Sequence, residues 1–371
     1  MARRGAARTS PPDAAALRAL PWAELEAAAA PLLDPATRAY YGRGARDGRS
    51  LTRNVAAWDA WWLRPRRLTG IAAPSLATTL LGTPVAHPVL VGPSAAHRLA
   101  HPEGERATAE GVAAHGGIFV VSTSTTVPVE ELARVPGLCW WFQLYPLADA
   151  AGTDAMVRRA VDAGAAAIVL TVDMTADGRT ADLPASGFVT PPGIGYPMHP
   201  PAVARLPRLD WAWAEALAAR AGVPVILKGI LHPDDARRAA DAGFPALVVS
   251  NHGGRTQDSV LPTAFAIADV AAAAGGRLEV YADSGIRRGS DGLKALALGA
   301  RAVGLVRPVL WGLALAGADG VAAVLGRVLD ELAEEMAYAD VADVHAIPAD
   351  LLVPAVPLPG TPSLPAPGGA R

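Results

Sequence analysis

The stretch Ala246-Leu247-Val248-Val249-Ser250-Asn251-His252-Gly253-Gly254-Arg255-Thr256-Gln257-Asp258 decides how the chain is read. Four apolar residues run without alternation into a polar turn loosened by two glycines. An unalternated run marks a strand buried on both faces, which is the habit of parallel sheets covered by helices. The turn then sets a histidine and an arginine three residues apart, an acid/base group beside an anion anchor, at the strand's C-terminal end. Parallel-sheet proteins carry their chemistry at that end.

Working outward, the same kind of run recurs at 88–92, 118–122, 140–145, 167–173, 224–228, 246–250, 278–283 and 302–306. Alanine-rich helical segments separate the runs, among them 103–115, 154–163, 233–242 and 289–298. Eight strands alternating with helices predict an α/β (β/α)8 TIM barrel, with a doubly wound open sheet as the alternative. Ahead of the barrel, Pro21 opens a helix reaching Ala30, and Ser50 starts a second that runs to Trp61 and Trp62, with Pro65 after its stop. The spacing of Trp58, Trp61, Trp62, Trp211 and Trp213 fits helices packed by their aromatic faces. The expected organisation is a disordered N-terminus at 1–13, one barrel domain with an N-terminal helical extension at 14–347, and a Pro-rich tail at 348–371. Segment 183–210, after the fourth strand, holds four prolines between Pro191 and Pro200 and little periodicity, and is the candidate lid.

Bulk properties narrow the class. At 371 residues and 51% hydrophobic, the chain has a large core to bury. Thirty-three Lys+Arg against 35 Asp+Glu leave a formal charge of −2 with no basic block, which argues against nucleic acid and membrane surfaces as partners. No charge-free apolar stretch of about 18 residues occurs. A secretory signal is not expected, because Arg3, Arg4 and Arg8 lead into no apolar core, so the expected location is cytoplasmic. The single Cys139, in an apolar run, reads as a buried thiol and excludes a disulfide framework. His87, His97, His115, His199, His232 and His345 have no partners at metal-ligand spacing, so no metal site is expected, and His101 at a helix start reads as a cap.

The residues at the strand ends form a polar ring: Pro93-Ser94-Ala95, Ser122, Gln143 and Tyr145, Thr171 and Asp173, Lys228, His252 and Arg255, Asp283, and Arg307. Together with Leu99-Ala100-His101-Pro102-Glu103-Gly104-Glu105, Phe142-Gln143-Leu144-Tyr145, Lys228-Gly229-Ile230, Ser250-Asn251-His252-Gly253-Gly254-Arg255 and Asp283-Ser284-Gly285-Ile286-Arg287-Arg288-Gly289, this ring resembles the FMN-dependent 2-hydroxy acid oxidases and dehydrogenases. That family includes glycolate oxidase, lactate oxidase and mandelate dehydrogenase, and the resemblance spans residues 36 to 345. It implies FMN as cofactor, with Pro93, Ser94 and Ala95 against the flavin ring and Ser122, Gln143 and Thr171 as its polar contacts. Lys228 is implied beside the N1–O2 edge, where a cation stabilises reduced flavin. Asp283, Ser284, Gly285, Arg287 and Arg307 are implied at the phosphate. For the substrate, His252 matches the family's base, Asp173 its carboxylate partner, Arg255 the carboxylate anchor, and Tyr40 and Tyr145 the two tyrosines. The resemblance also implies a homotetramer, and the expected electron acceptor is oxygen or a soluble carrier.

Departures from the family pattern bear on the substrate. Gly178-Arg179-Thr180-Ala181 stands where the family carries Gly-Arg-Arg-Glu, so Thr180 occupies the place of a second anchoring arginine unless Arg179 reaches in. Ser124 replaces an aromatic pocket wall found in some members, Ser284 a glycine, and Val306 the glycine before Arg307. The expectation is an FMN-dependent oxidation of a 2-hydroxy acid to its 2-oxo product, on a substrate that is large or lacks a free small carboxylate. The alternatives are an FMN-binding protein without 2-hydroxy acid turnover, and a flavin enzyme that acts on a non-carboxylate substrate or catalyses an isomerisation.

Overall fold

In the computed structural model, residues 14–355 are described, apart from 69, 72, 175–187, 200–203 and 207. Eight parallel strands close into a barrel: β1 (Val89–Val91), β2 (Ile118–Ser122), β3 (Cys139–Leu144), β4 (Ile168–Thr171), β5 (Val225–Ile230), β6 (Ala246–Val249), β7 (Glu279–Ala282) and β8 (Ala302–Leu305), with β8 pairing back to β1. Every apolar run expected to be a strand is one, and the open-sheet alternative falls. Helices Glu105–Ala113, Ala150–Asp162, Pro233–Asp241 and Gly289–Ala297 lie between strands where the alanine-rich segments predicted them.

Side chains alternate across each strand. Val121, Phe142, Leu170, Leu227 and Val249 face outward into the layer shared with the helices. Leu90, Ile118, Val120, Trp141, Val169, Ile226, Val248 and Tyr281 face inward and fill the barrel, with the Trp141 and Tyr281 rings 5.5 Å apart. A hairpin of Thr78–Leu80 and Thr83–Val85 closes the N-terminal end with Leu80, which is fully buried. Carried two residues at a time towards the other end, the inward face turns polar: Ser122, Gln143, Tyr145, Thr171, Asp173, Lys228, Ser250 and Asp283. One parity therefore builds both the plug and the site above it.

The N-terminal extension reaches that mouth. Asp34 caps helix Pro35–Gly42 by accepting from the Ala36 amide, and this helix carries Tyr40 and Tyr41. Helix Arg49–Ala56 docks on the turn after β6. Asn54 and Asn251 exchange side-chain hydrogen bonds of 2.8 and 2.6 Å, and Asp258 accepts from the amides of Asp47 and Ser50. Gly254 (φ +73°) lies so close that an added Cβ would meet the Leu51 amide nitrogen at 2.5 Å, which explains a glycine there.

Two details differ from the sequence reading. The helix expected to reach Trp62 stops at Ala56, passes through a 3-10 turn, and gives way to strand Trp61–Leu63, which pairs antiparallel with Leu352–Pro354. Helical spacing of the tryptophans misled here, because a three-residue strand is too short to show its own period and its partner lies almost 300 residues away. Cys139 is half-buried rather than buried. Helix Arg307–Tyr338 is long and apolar enough to cross a bilayer, yet 78% of its most apolar window is buried within the fold. It breaks at Ala316–Gly317.

Candidate active site

The polar ring surrounds a cavity at the C-terminal mouth of the barrel, about 1240 Å³ including the solvent space at its open end. The backbone after β1 (Pro93, Ser94, Ala95), Ser122, Gln143, Thr171 and Lys228 line its inner part, and Tyr40, Tyr145, His252, Arg255 and Ser124 line the outer part. Asp283, Ser284, Gly285, Arg287 and Arg307 form the far end. Thr180 and Arg179 lie outside the described residues.

His252 sits at φ +58°, in the left-handed region where a non-glycine residue is strained, and its amide donates to Ser250 Oγ at 3.1 Å. Its Nδ1 lies 2.9 Å from Asp173 Oδ1 and its Nε2 3.3 Å from the Tyr145 hydroxyl. Burial opposes the charge on Asp173, but His252 and Lys228 outweigh it and hold the carboxyl below its ordinary range. An ionised acceptor at Nδ1 makes that nitrogen the N–H donor and leaves the Nε2 lone pair facing the cavity. Asp173 Oδ2 is buried with no hydrogen-bond partner among the described residues. Burial pushes the Tyr145 hydroxyl up to about 12, against the pull of Arg205 and Lys228, so it remains a neutral donor.

Lys228, 4% exposed, donates to Ser250 Oγ at 2.9 Å and pairs with Asp283 at 3.4 Å. Burial works against its ammonium, yet Asp283 and Asp173 outweigh that cost and raise its pKa. The neighbouring polar residues are satisfied in a chain: Ser122 Oγ donates to Gln143 Oε1 at 3.2 Å, and Gln143 Nε2 donates to Thr171 Oγ1 at 2.9 Å. Below the β1 turn, buried His97 bridges Ser94 Oγ and Thr108 Oγ1 at 2.6 and 2.8 Å, a packing role that the sequence reading had not singled out.

At the far end, Arg307 donates to the carbonyls of Tyr41, Gly253 and Arg43. Burial first, then Arg255 and Arg287, push its guanidinium down to about 9, and burial lowers Arg287 as well. Neither arginine has an ion pair with a carboxylate of the described residues. Buried cations that repel one another are stabilised by an anion, which is the property a phosphate site requires. The turn beside them explains two departures. Ser284 stands at φ +77°, and its hydroxyl offsets the strain by donating to Asp283 at 2.7 Å and accepting from the Gly253 amide at 3.0 Å. Val306 has φ −132°, so no glycine conformation is needed before Arg307. Arg287 faces the cavity and Arg288 is exposed.

Met174, Arg205 and Leu310 also line the wall, and nothing in the sequence singles them out. Arg205 comes from the proline-rich segment, and its guanidinium carbon stands 4.0 Å from the centroid of the Tyr145 ring. Phe188, from the same segment, stacks on Tyr40 at 4.4 Å. Aperiodic sequence carries no signal of which side chain turns inward, so neither was legible.

A parallel barrel with two cavity-lining arginines beyond its last two strands, a buried lysine and a carboxylate-backed histidine fits a flavin-dependent oxidoreductase class. The chain matches the FMN-dependent dehydrogenase family over residues 29–354, and it belongs to that family. It is 42% identical over 332 residues to an L-lactate oxidase of Roseobacter sp. (strain GAI101), covering 85% of this chain and 89% of that protein. It is 38% identical over 341 residues to a 4-hydroxymandelate oxidase of Amycolatopsis orientalis, covering 87% and 95%. A solved mandelate oxidase with (S)-2-phenylpropionate superposes with a TM-score of 0.85 at 39% identity, covering 90% of this chain and 98% of that one. The protein is thus an FMN-dependent oxidoreductase of the 2-hydroxy acid oxidase family.

Proposed function

We propose that the protein oxidises a 2-hydroxy acid whose side group is bulkier than methyl to the 2-oxo acid, with oxygen as electron acceptor. The observation that carries this reading is His252, strained into the mouth with Asp173 at Nδ1 and the Tyr145 hydroxyl 3.3 Å from Nε2. FMN, when bound, takes up the electron pair lost as the CH–OH carbon becomes C=O.

The chain's own residues manage the proton and the orientation. Nε2 of His252 takes a proton from the reacting centre, and Asp173 stabilises the resulting imidazolium. Tyr145 donates to the substrate oxygen, and Arg255 with Tyr40 grips the carboxylate. Lys228 would supply a positive charge that favours the bound cofactor's reduced form. Arg287, Arg307 and the Asp283–Gly285 turn would hold the phosphate. Ser124 and the flexible Met174 leave the pocket wall small and adaptable, which supports a bulky side group. The similarity to 4-hydroxymandelate oxidase and mandelate oxidase supports an aryl group, and the similarity to L-lactate oxidase keeps a small one in the test.

The experiment is anaerobic mixing of the FMN-loaded protein with lactate, a branched aliphatic 2-hydroxy acid and mandelate. Flavin bleaching, with 2-oxo acid formed one for one and mandelate fastest, is the expected result. A flavin that dithionite reduces but none of these acids bleaches would make the protein a flavin binder without this turnover. Lactate bleaching as fast as mandelate would remove the claim of bulk.

A further inference from the structure

We infer that Arg205 is a second carboxylate anchor and makes the site select free 2-hydroxy acids over their neutral derivatives; this rests on the function proposed above. Arg205 is half-buried in the cavity wall, its guanidinium over the Tyr145 ring. Its backbone is pinned just beyond that tyrosine: the Ala148 amide donates to Ala204 O at 2.8 Å, and the Leu206 amide donates to Pro146 O at 2.8 Å. The short antiparallel bridge between Leu147 and Arg205 makes the arginine a fixed part of the mouth.

Arg255 lines the same cavity, its guanidinium carbon 5.2 Å from the centroid of the Tyr40 ring. The two arginines differ in what they already hold. Arg255 spends Nη1 on the carbonyls of Tyr40, Tyr41 and Arg43, at 2.7, 3.3 and 3.2 Å. The Arg205 side chain makes no hydrogen bond or ion pair with any described residue and lies over the face of the Tyr145 ring. A cation–π contact leaves every guanidinium N–H free to donate in the ring plane. A carboxylate has lone pairs enough for two guanidinium groups, and a partly desolvated cation with no counter-ion favours an anionic ligand. The charge of Arg205 acts on both Tyr40 and Tyr145, countering the rise that burial imposes on each, so it is felt across the width of the mouth. In this account the second anchor comes from the far side of the proline-rich segment, not from the stretch containing Thr180.

The test is titration of the FMN-loaded protein with benzoylformate and with benzoylformamide, read by perturbation of the flavin absorbance. The wild type is expected to bind the acid more tightly than the amide. Arg205→Met should weaken the acid about 10- to 150-fold, the scale of a lost charge-assisted hydrogen bond. The same variant should leave the amide within about threefold, and Arg205→Lys should regain part of the loss. An unchanged flavin spectrum before titration reports an intact fold, and Arg205→Gln gives a second neutral variant should methionine disturb it. Equal losses for acid and amide, no loss for either, or a loss produced by Arg179→Met instead would overturn the assignment. Because the titration needs no turnover, it stands apart from the bleaching experiment: a protein that binds the acid through Arg205 yet is bleached by no 2-hydroxy acid would sink the proposed function alone.

Discussion

The inner cofactor region and the outer substrate mouth of one cavity are built differently. The inner region hangs on barrel strands or the residues just beyond them, so the alternation that fills the barrel with Trp141 and Tyr281 also aims Ser122, Gln143, Thr171, Lys228 and Asp283. At the mouth, Ser124, Tyr145 and the His252–Arg255 turn follow strand ends. Tyr40 arrives on an N-terminal helix, Phe188 and Arg205 on the segment after β4. Backbone-dictated positions tolerate little change, whereas loop-borne ones can be exchanged without moving the barrel.

Substitutions at the two regions should therefore fail in different ways. The largest effect is expected from His252→Gln, which should slow anaerobic flavin reduction about 10²- to 10⁴-fold while FMN content stays at wild-type level. Loss of FMN with retained reduction rate per bound flavin would place His252 on the cofactor side of the comparison. Arg307→Met should do the reverse, weakening FMN about 10- to 100-fold in equilibrium dialysis, with reduction of the remaining flavin near normal. Ser124→Phe, at the mouth, should lower kcat/KM for mandelate about tenfold and that for lactate less than threefold. Equal losses would show that Ser124 does not bound the side-group pocket.

The smallest effect is on stability. Asp173→Asn should cost about 1–3 kcal/mol in urea unfolding at pH 7. Since the folded chain holds Asp173 below its ordinary pKa, its contribution is present above about pH 4 and is lost as pH falls through the lower folded value. The gap between variant and wild type should thus close on acidification, and a gap that widens would contradict the assignment of charge.

The same division explains what could be read from the chain alone. All eight barrel strands and the inward polar ring were legible because unalternated apolar runs and their terminal polar residues are local signals. Strand Trp61–Leu63 was not, since its partner Leu352–Pro354 lies at the far end of the chain and pairing leaves no local mark on three residues. Arg205 was not, because it sits in a stretch with neither period nor motif, and only the bridge to Leu147 turns it inward. Ser284 is visible in the sequence only as a replaced glycine, and its value shows only in three dimensions, through the hydroxyl bonds to Asp283 and Gly253.

The most direct measurement is a structure of the FMN-loaded protein with benzoylformate bound. The carboxylate is expected between Arg255 and Arg205, with the 2-oxo oxygen accepting from the Tyr145 hydroxyl and lying beside His252 Nε2. A carboxylate turned away from both arginines, or a 2-oxo group out of reach of His252, would contradict this arrangement.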